Sequence, residues 1–516
     1  MCLDQRLFKV GLGYDIIRQD MWWRALQQNM WKLAKSDCLK LAPILGLAFY
    51  IAFIPHLNYP YPVHVDEWVH LACSNEIIAE ASAVGAHNPF TGGAAGWSQS
   101  LEVGFHLFWV IFQQVTDIPW LIVYKYFPAI IFMITVLSVY ILGRREGFSW
   151  KAALCTCFVP TTLRFLGPAF LVPVALGLLF IPLSLFIAFN FRNWQSYVVI
   201  FVFTCFLVSA HAYTAVGLII VLTPYIVLNL RKNFRHSLGI FFALVIPFLG
   251  PLLGKFHVAL LHMLGAFITP QPPPGPELPY ITQVPHIYGY LPILLFAIGT
   301  FLLAKRGRLK DYSLLIVPLL FVMLIGWFFN LHRGIQTMYS RSFLYLMLMM
   351  GVVAGYGLRR IRDIRLPEKI AARLRPAFIS RNAGNILCLI LLIPTMFLSV
   401  RSHLDTPYYH MIDTQAYEAF VWVRENIGDE YDKAILDPWK ATAFTAISGK
   451  KVHSRIHAAP HEREMKAYSF LRQGCRDTAF LKQNGISIVY TRWGCNNPDL
   501  VEVRKHVYLL KEAETE

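Results

Sequence analysis

The chain has 516 residues, of which 56% are hydrophobic and only 15% charged, with a net charge of +16 and a mean hydropathy of +0.47. So little charge cannot cover a water-soluble protein of this length, which argues against a soluble enzyme and for a membrane protein. The basic excess is confined to short segments, which argues against nucleic-acid binding as the source of the high isoelectric point.

The first 37 residues hold Trp22, Trp23 and Trp31 among scattered Arg and Lys, and read as an amphipathic helix on the inner membrane surface. No cleavable signal is expected, because the first apolar run starts too far into the chain. Apolar runs long enough to cross a bilayer core of roughly 30 Å then recur. They occupy about 38–56, 122–143, 151–166, 168–189, 197–212, 213–229, 237–253, 287–304, 313–330, 342–358 and 384–400, eleven in all. Several contain proline, which membrane helices tolerate when neighbours satisfy the freed backbone groups.

Charge sets the orientation. Segments 1–40, 144–151, 190–196, 230–236, 305–312 and 359–381 hold 26 of the 47 Lys and Arg but 8 of the 31 acids. The loop 57–121 holds no Lys or Arg and six acids, and 400–516 holds 16 of each sign. The positive-inside rule therefore puts the N-terminus in the cytoplasm and both large pieces outside. Residues 101–116 are apolar but short, and carry His106, Gln113 and Gln114. A span there would invert every later loop, so they are expected to lie at the outer interface or re-enter the membrane.

The expected fold class is thus a polytopic α-helical membrane protein with a C-terminal extracytoplasmic α/β domain. Its parts are a cytoplasmic segment 1–37, a transmembrane domain 38–400 and an external domain 401–516. In that domain the pattern predicts helices at 414–427, 439–448, 461–472 and 476–484, with strands at 433–437, 451–454 and 486–491. The loop 255–286 carries TPQPPPGPELP and is expected to be extended. Most of the nine cysteines fall in spans as small apolar fillers. Cys475 and Cys495 are external, and a disulfide between them is one of two open readings.

The strongest local feature is HVDEWVH at 64–70, where Asp66 and Glu67 are adjacent acids with no basic partner nearby in sequence. A carboxylate there suits a general base that deprotonates a hydroxyl. It also suits a divalent cation (Mg or Mn) held by Asp66 with His64 or His70. The plain alternative is that Asp66 caps a helix and Glu67 complements its dipole. Arg164, Arg333, Arg341 and His211 fall at the outer ends of spans, where a guanidinium fork can hold a phosphate or merely snorkel to headgroups. No phosphate-binding P-loop, nucleophile elbow or zinc-protease helix is present.

In layout the chain resembles the GT-C superfamily of membrane glycosyltransferases. HVDEW matches the acidic position of that family's first external loop. EVGFHLFWVIFQQVTDIP, at 102–119, resembles its membrane-surface helix, and SAHAYTA a recurrent His-containing turn. YEAFVWVRENIGDEYDKAILDPW, at 417–439, with ISGKKVHS, at 447–454, resembles the start of its external domain. The resemblance implies transfer of a sugar from a polyprenyl- or dolichyl-phosphate donor to a glycan, lipid or protein acceptor at the outer face of the cell membrane. Asp66 would be the catalytic or metal-binding acid with Glu67 its catalytic neighbour, and Arg333 and Arg341, by location only, would be donor-phosphate residues, as Arg164 and His211 are by their place at the outer surface. Oligosaccharyltransferases carry WWDYG in this domain, whereas this chain has DPWKATAF from Asp437, which points away from glycan transfer to asparagine. The competing readings are a lipid or polysaccharide transporter and a non-catalytic scaffold.

Overall fold

The computed structural model describes residues 35–83, 87–93, 102–162, 165–253, 280–363, 377–406, 410–456 and 460–511, with a few isolated residues between. The amphipathic segment expected at the N-terminus, most of the Pro-rich loop and Arg164 lie outside the described residues.

The long apolar runs become helices. They begin with α1 (Lys35–Phe53), followed by α2 (Val65–Ala79) and α3 (Val103–Thr116) in the acidic loop. Next come α4 (Trp120–Glu146), α5 (Ser149–Thr156), α6 (Pro173–Leu178) and α7 (Phe180–Asn190). They continue with α8 (Trp194–Ala210), α9 (Ala212–Asn229), α10 (Phe234–Leu253), α11 (Val284–Tyr288) and α12 (Tyr290–Arg306). The last three are α13 (Leu309–Leu331), α14 (Gln336–Arg362) and α15 (Ala377–Leu404). By length and composition, 7 helices among the described residues can cross a membrane, or 8 if the pair around Gly289, bent by 107°, is one span. Three more apolar helices, including α3, are shorter.

The region 151–166 differs from its expected single span. Its helix stops at Thr156, and Val159 to Thr162 are irregular. Pro160 has no N–H to continue the ladder. This irregular backbone is enclosed by protein, the one circumstance in which a membrane tolerates it: Cys155, Val159, Phe165 and Phe170 are all buried. The most enclosed helix is α14, with 94% of its apolar window buried inside the protein.

The basic connections gather at one end of the bundle. Glu146, at the end of α4, is paired with Arg306, Arg308 and Lys310, and Asp311 with Arg306 and Arg308. Lys310 also reaches Asn190 at 3.4 Å, and Arg192 reaches Asn233 at 3.3 Å. Because α4, α9 and α14 each have one terminus at that end, their other termini, with His211 and Arg341, face the opposite end.

There the C-terminal α/β region docks. It comprises α16 (Thr414–Asn426), β1 (Lys433–Ile435), α17 (Ala441–Ser448), β2 (Lys451–Val452), α18 (Glu462–Arg472) and α19 (Thr478–Gln483). Three strands complete it: β3 (Ile488–Tyr490), β4 (Leu500–Arg504) and β5 (Val507–Leu510). The sheet order is β2-β1-β3-β5-β4, parallel around β1 and antiparallel at β5. Cys475 and Cys495 pack against one sub-core as free thiols, and their mutual hydrogen bond raises the Cys495 thiol far above its usual range.

The acidic loop forms the seam with this region. Tyr59 Oη donates to Ile412 O at 2.8 Å and accepts from Ile412 N at 3.2 Å. Asn75 donates to Ala446 O at 2.9 Å, and Val452 N to Phe90 O at 3.1 Å. One continuous hydrophobic core runs from the helices through this seam into α16 and α17.

Candidate functional site

The start of α2 is fixed by its own side chains. His64 is the N-cap, and its Nδ1 accepts from Asp66 N at 3.1 Å. Glu67 closes the capping box by accepting from His64 N at 3.0 Å and from Val63 N at 2.8 Å. Its other oxygen accepts from Leu171 N at 2.7 Å, tying α2 to the irregular segment before α6. The helix cap is therefore His64, not Asp66. Glu67 is fully buried against backbone, and burial pushes its carboxyl up to about 7 despite these three donors.

Asp66, one residue earlier, points elsewhere, because successive residues on a helix turn through about 100°. It lines a cavity of about 170 Å³ together with His70, Cys73, Glu102, His106, His211, Tyr213, Thr337 and Arg341. These residues come from α2, the start of α3, the α8–α9 junction and α14. Close packing at the α3 start permits the meeting: a Cβ on Gly104 would lie 2.8 Å from the Ser209 carbonyl carbon.

Glu102 sits among the histidines. Its oxygens stand 4.0 Å from His70 Nδ1 and 4.0 Å from His211 Nε2, and His70 Nδ1 lies 2.9 Å from His106 Nε2. The Glu102 side chain keeps 22% of its surface open to the cavity. The surrounding walls nevertheless desolvate it: burial, with the charge of Asp66, raises its carboxyl to about 8, while Arg341 works against the rise. Glu102 therefore holds its proton to a higher pH than an ordinary carboxyl does. His211 is held by Thr214 at 2.6 Å, which in turn meets Tyr345 Oη at 2.8 Å.

Arg341 is the cation of the cavity. Its Nη1 donates to Phe165 O at 3.1 Å, while its buried Nε has no hydrogen-bond partner among the described residues. The carboxylates facing it are Asp66 and Glu102. A guanidinium with an unsatisfied buried N–H beside a cavity is chemically suited to an anion.

Of the residues singled out in the sequence, Asp66, His70, His211 and Arg341 line this cavity, and His64 and Glu67 frame it from behind. Arg333 is half-buried in the α13–α14 connection and is not among the lining residues. Glu102 and His106 escaped the sequence reading as site residues. Their signal was an acid and an imidazole four apart at the start of a largely apolar helix. The donors of Asp66, Glu102, His70 and His211 are carboxylate oxygens and imidazole nitrogens, a set that suits a borderline divalent cation. No three of these side chains bring ligand atoms close enough together to share one ion; among the described residues the group that does is Glu76, Glu80 and His87, outside the cavity. His64 Nδ1 is engaged in the cap and His70 Nδ1 lies against His106 Nε2.

The apolar helices with a docked C-terminal α/β region define a multi-pass membrane fold. Solved structures of the Archaeoglobus fulgidus oligosaccharyltransferase share it. The form tethered to an acceptor peptide with an NVT sequon superposes with a TM-score of 0.60 at 13% identity, covering 90% of this chain and 70% of that one. The same enzyme, AglB, with an inhibitory peptide and dolichol-phosphate gives 0.57 at 12% identity, covering 87% and 69%. Its complex with Zn and sulfate gives 0.53 at 14%, covering 86% and 67%. No family model and no curated protein matches the sequence.

Proposed function

We propose that the protein transfers a sugar from a polyprenyl- or dolichyl-phosphate donor to an acceptor hydroxyl at the outer face of the membrane. The observation that carries this reading is the pairing of Asp66 with Arg341 across one cavity at the end of the bundle away from the basic loops. Charge asymmetry supports an extracytoplasmic position for that end.

Arg341 would hold the phosphate, which becomes the leaving group, and its fixed charge would stabilise the negative charge that develops there. Asp66 would take the proton of the acceptor hydroxyl as the new glycosidic bond forms. Glu102, protonated, would leave Arg341 free for the phosphate, and His211 would be oriented by Thr214. Glu67 would act as a positioning residue, setting Asp66 against the 165–173 segment. A divalent cation here would require Glu102 ionised and the carboxylates and imidazoles drawn closer together, and would then add Lewis-acid charge beside the phosphate. The neighbour solved with dolichol-phosphate supports a lipid-phosphate donor, and the one solved with Zn supports a divalent cation.

The test uses the full chain in lipid nanodiscs with dolichyl-phosphate-linked sugars and a panel of hydroxyl acceptors. Asp66→Asn is expected to lower turnover by about 10³-fold with folding intact, since general-base help and charge orientation are both lost. Arg341→Gln is expected to weaken donor binding at least tenfold. Retained transfer by the purified Asp66→Asn protein removes Asp66 from its role.

A further inference from the structure

The C-terminal region brings one cation to the neighbourhood of Asp66 that the transfer reading leaves unused. Arg455 lies just past β2, on a segment pinned at both sides. His453 N donates to Ala434 O at 2.7 Å and Ile456 N to Pro438 O at 3.0 Å. Its guanidinium sits 3.9 Å from the centroid of the Phe90 ring, which belongs to the acidic loop. That contact satisfies the face of the guanidinium and leaves its N–H edge to be matched.

Part of that edge is left unmatched among the described residues. Arg455 Nη1 is buried and has no hydrogen-bond partner among the described residues, and Ser454 Oγ beside it in the chain is in the same condition. Asp66 and the Cys73 thiol act electrostatically on Arg455. Asp66 thus stands in the field of two guanidiniums, Arg341 from the bundle and Arg455 from the C-terminal region. A desolvated cation held by a ring and short of partners is the chemistry of a ligand site.

We infer that Arg455 and Ser454 form a second anion subsite, stacked on Phe90, that takes a carboxylate or phosphate group of the ligand. This makes the C-terminal region a reader of charge. The anion is either an acidic group on the acceptor or the second phosphate of a diphosphate donor. These roles rest on the transfer reading; the subsite itself rests on the geometry alone.

The experiment measures no sugar transfer, so its failure is distinct from failure of that reading. The full chain in nanodiscs is treated with phenylglyoxal, which modifies accessible guanidiniums, and the rate at each arginine is read by peptide mass spectrometry. It is run alone, with dolichyl phosphate, with dolichyl diphosphate, and with citrate. Arg455 is expected to react when no ligand is added and to be protected at least threefold by one of the last two. Protection by the diphosphate but not the monophosphate assigns the donor's second phosphate, and protection by citrate assigns an acceptor carboxylate. An Arg455 that reacts equally under all conditions overturns the subsite. So does one that never reacts, because it is then sealed in the fold. Arg455→Lys, which keeps charge but loses the fork, is expected to bind the protecting ligand at least fivefold more weakly, as Arg455→Gln does.

Discussion

Adjacent acids 66 and 67 give the sharpest test, because their side chains meet different surroundings. Glu67→Ala removes the acceptor of three backbone N–H groups, at Val63, His64 and Leu171. A buried donor left without a partner costs about 1–3 kcal/mol. The His64 donor is part-buried and can recover water, so the sum comes to roughly 4 kcal/mol. At about 2 °C per kcal/mol for a chain larger than the usual domain, the apparent melting temperature should fall by about 8 °C. Glu67→Gln retains one acceptor oxygen and turns an NH₂ toward the remaining donors, so it should fall between wild type and alanine. Asp66→Asn faces the cavity and should melt within about 2 °C of wild type. Thermal unfolding in nanodiscs, followed by intrinsic fluorescence, measures all three. Glu67→Ala melting like wild type, or Asp66→Asn falling as far as Glu67→Ala, would refute the division into frame and site.

Other expectations concern pH and the seam. Glu67 and Glu102 are raised from 4.5 to about 7 and about 8, so the folded state binds more protons than the unfolded chain between those values. Stability should therefore decline as pH rises from 4.5 through about 8, and Glu102→Gln should flatten the upper part of that decline. Donor affinity should fall in the same upper window, as ionised Glu102 competes with phosphate for Arg341. An unchanged pH profile in Glu102→Gln would count against this competition. Tyr59→Phe deletes both hydrogen bonds to Ile412, and should cost about 1–2 kcal/mol and speed proteolysis between the bundle and the α/β region. An unaltered digestion pattern would show that the remaining seam contacts suffice.

The bundle was legible because a bilayer imposes one rule, long apolar runs with charge at their ends, and local sequence alone can satisfy it. Ten of the eleven expected runs contain a helix of at least ten residues; 151–166 fails because Pro160 interrupts it. The four helices and three strands expected after 413 all form, since each alternation is local. Strands β4 and β5 were not anticipated: LVEVR and VYLL are short, and their edge pairing depends on β3 being in place.

The site divides along the same line. By itself the sequence determined that the chain is a membrane protein, that its basic loops share one end, and that HVDEWVH stands apart from them. Those properties depend on composition and on neighbours a few residues away. Only the tertiary structure decided that Asp66, and not Glu67, faces the cavity, since the direction of each side chain follows from where the capped helix starts. It alone brought Glu102, His106, His211 and Arg341 to one wall. It also set Arg455 on Phe90, across 365 residues of chain. Burial and charge between such distant positions depend on packing, which no local pattern carries.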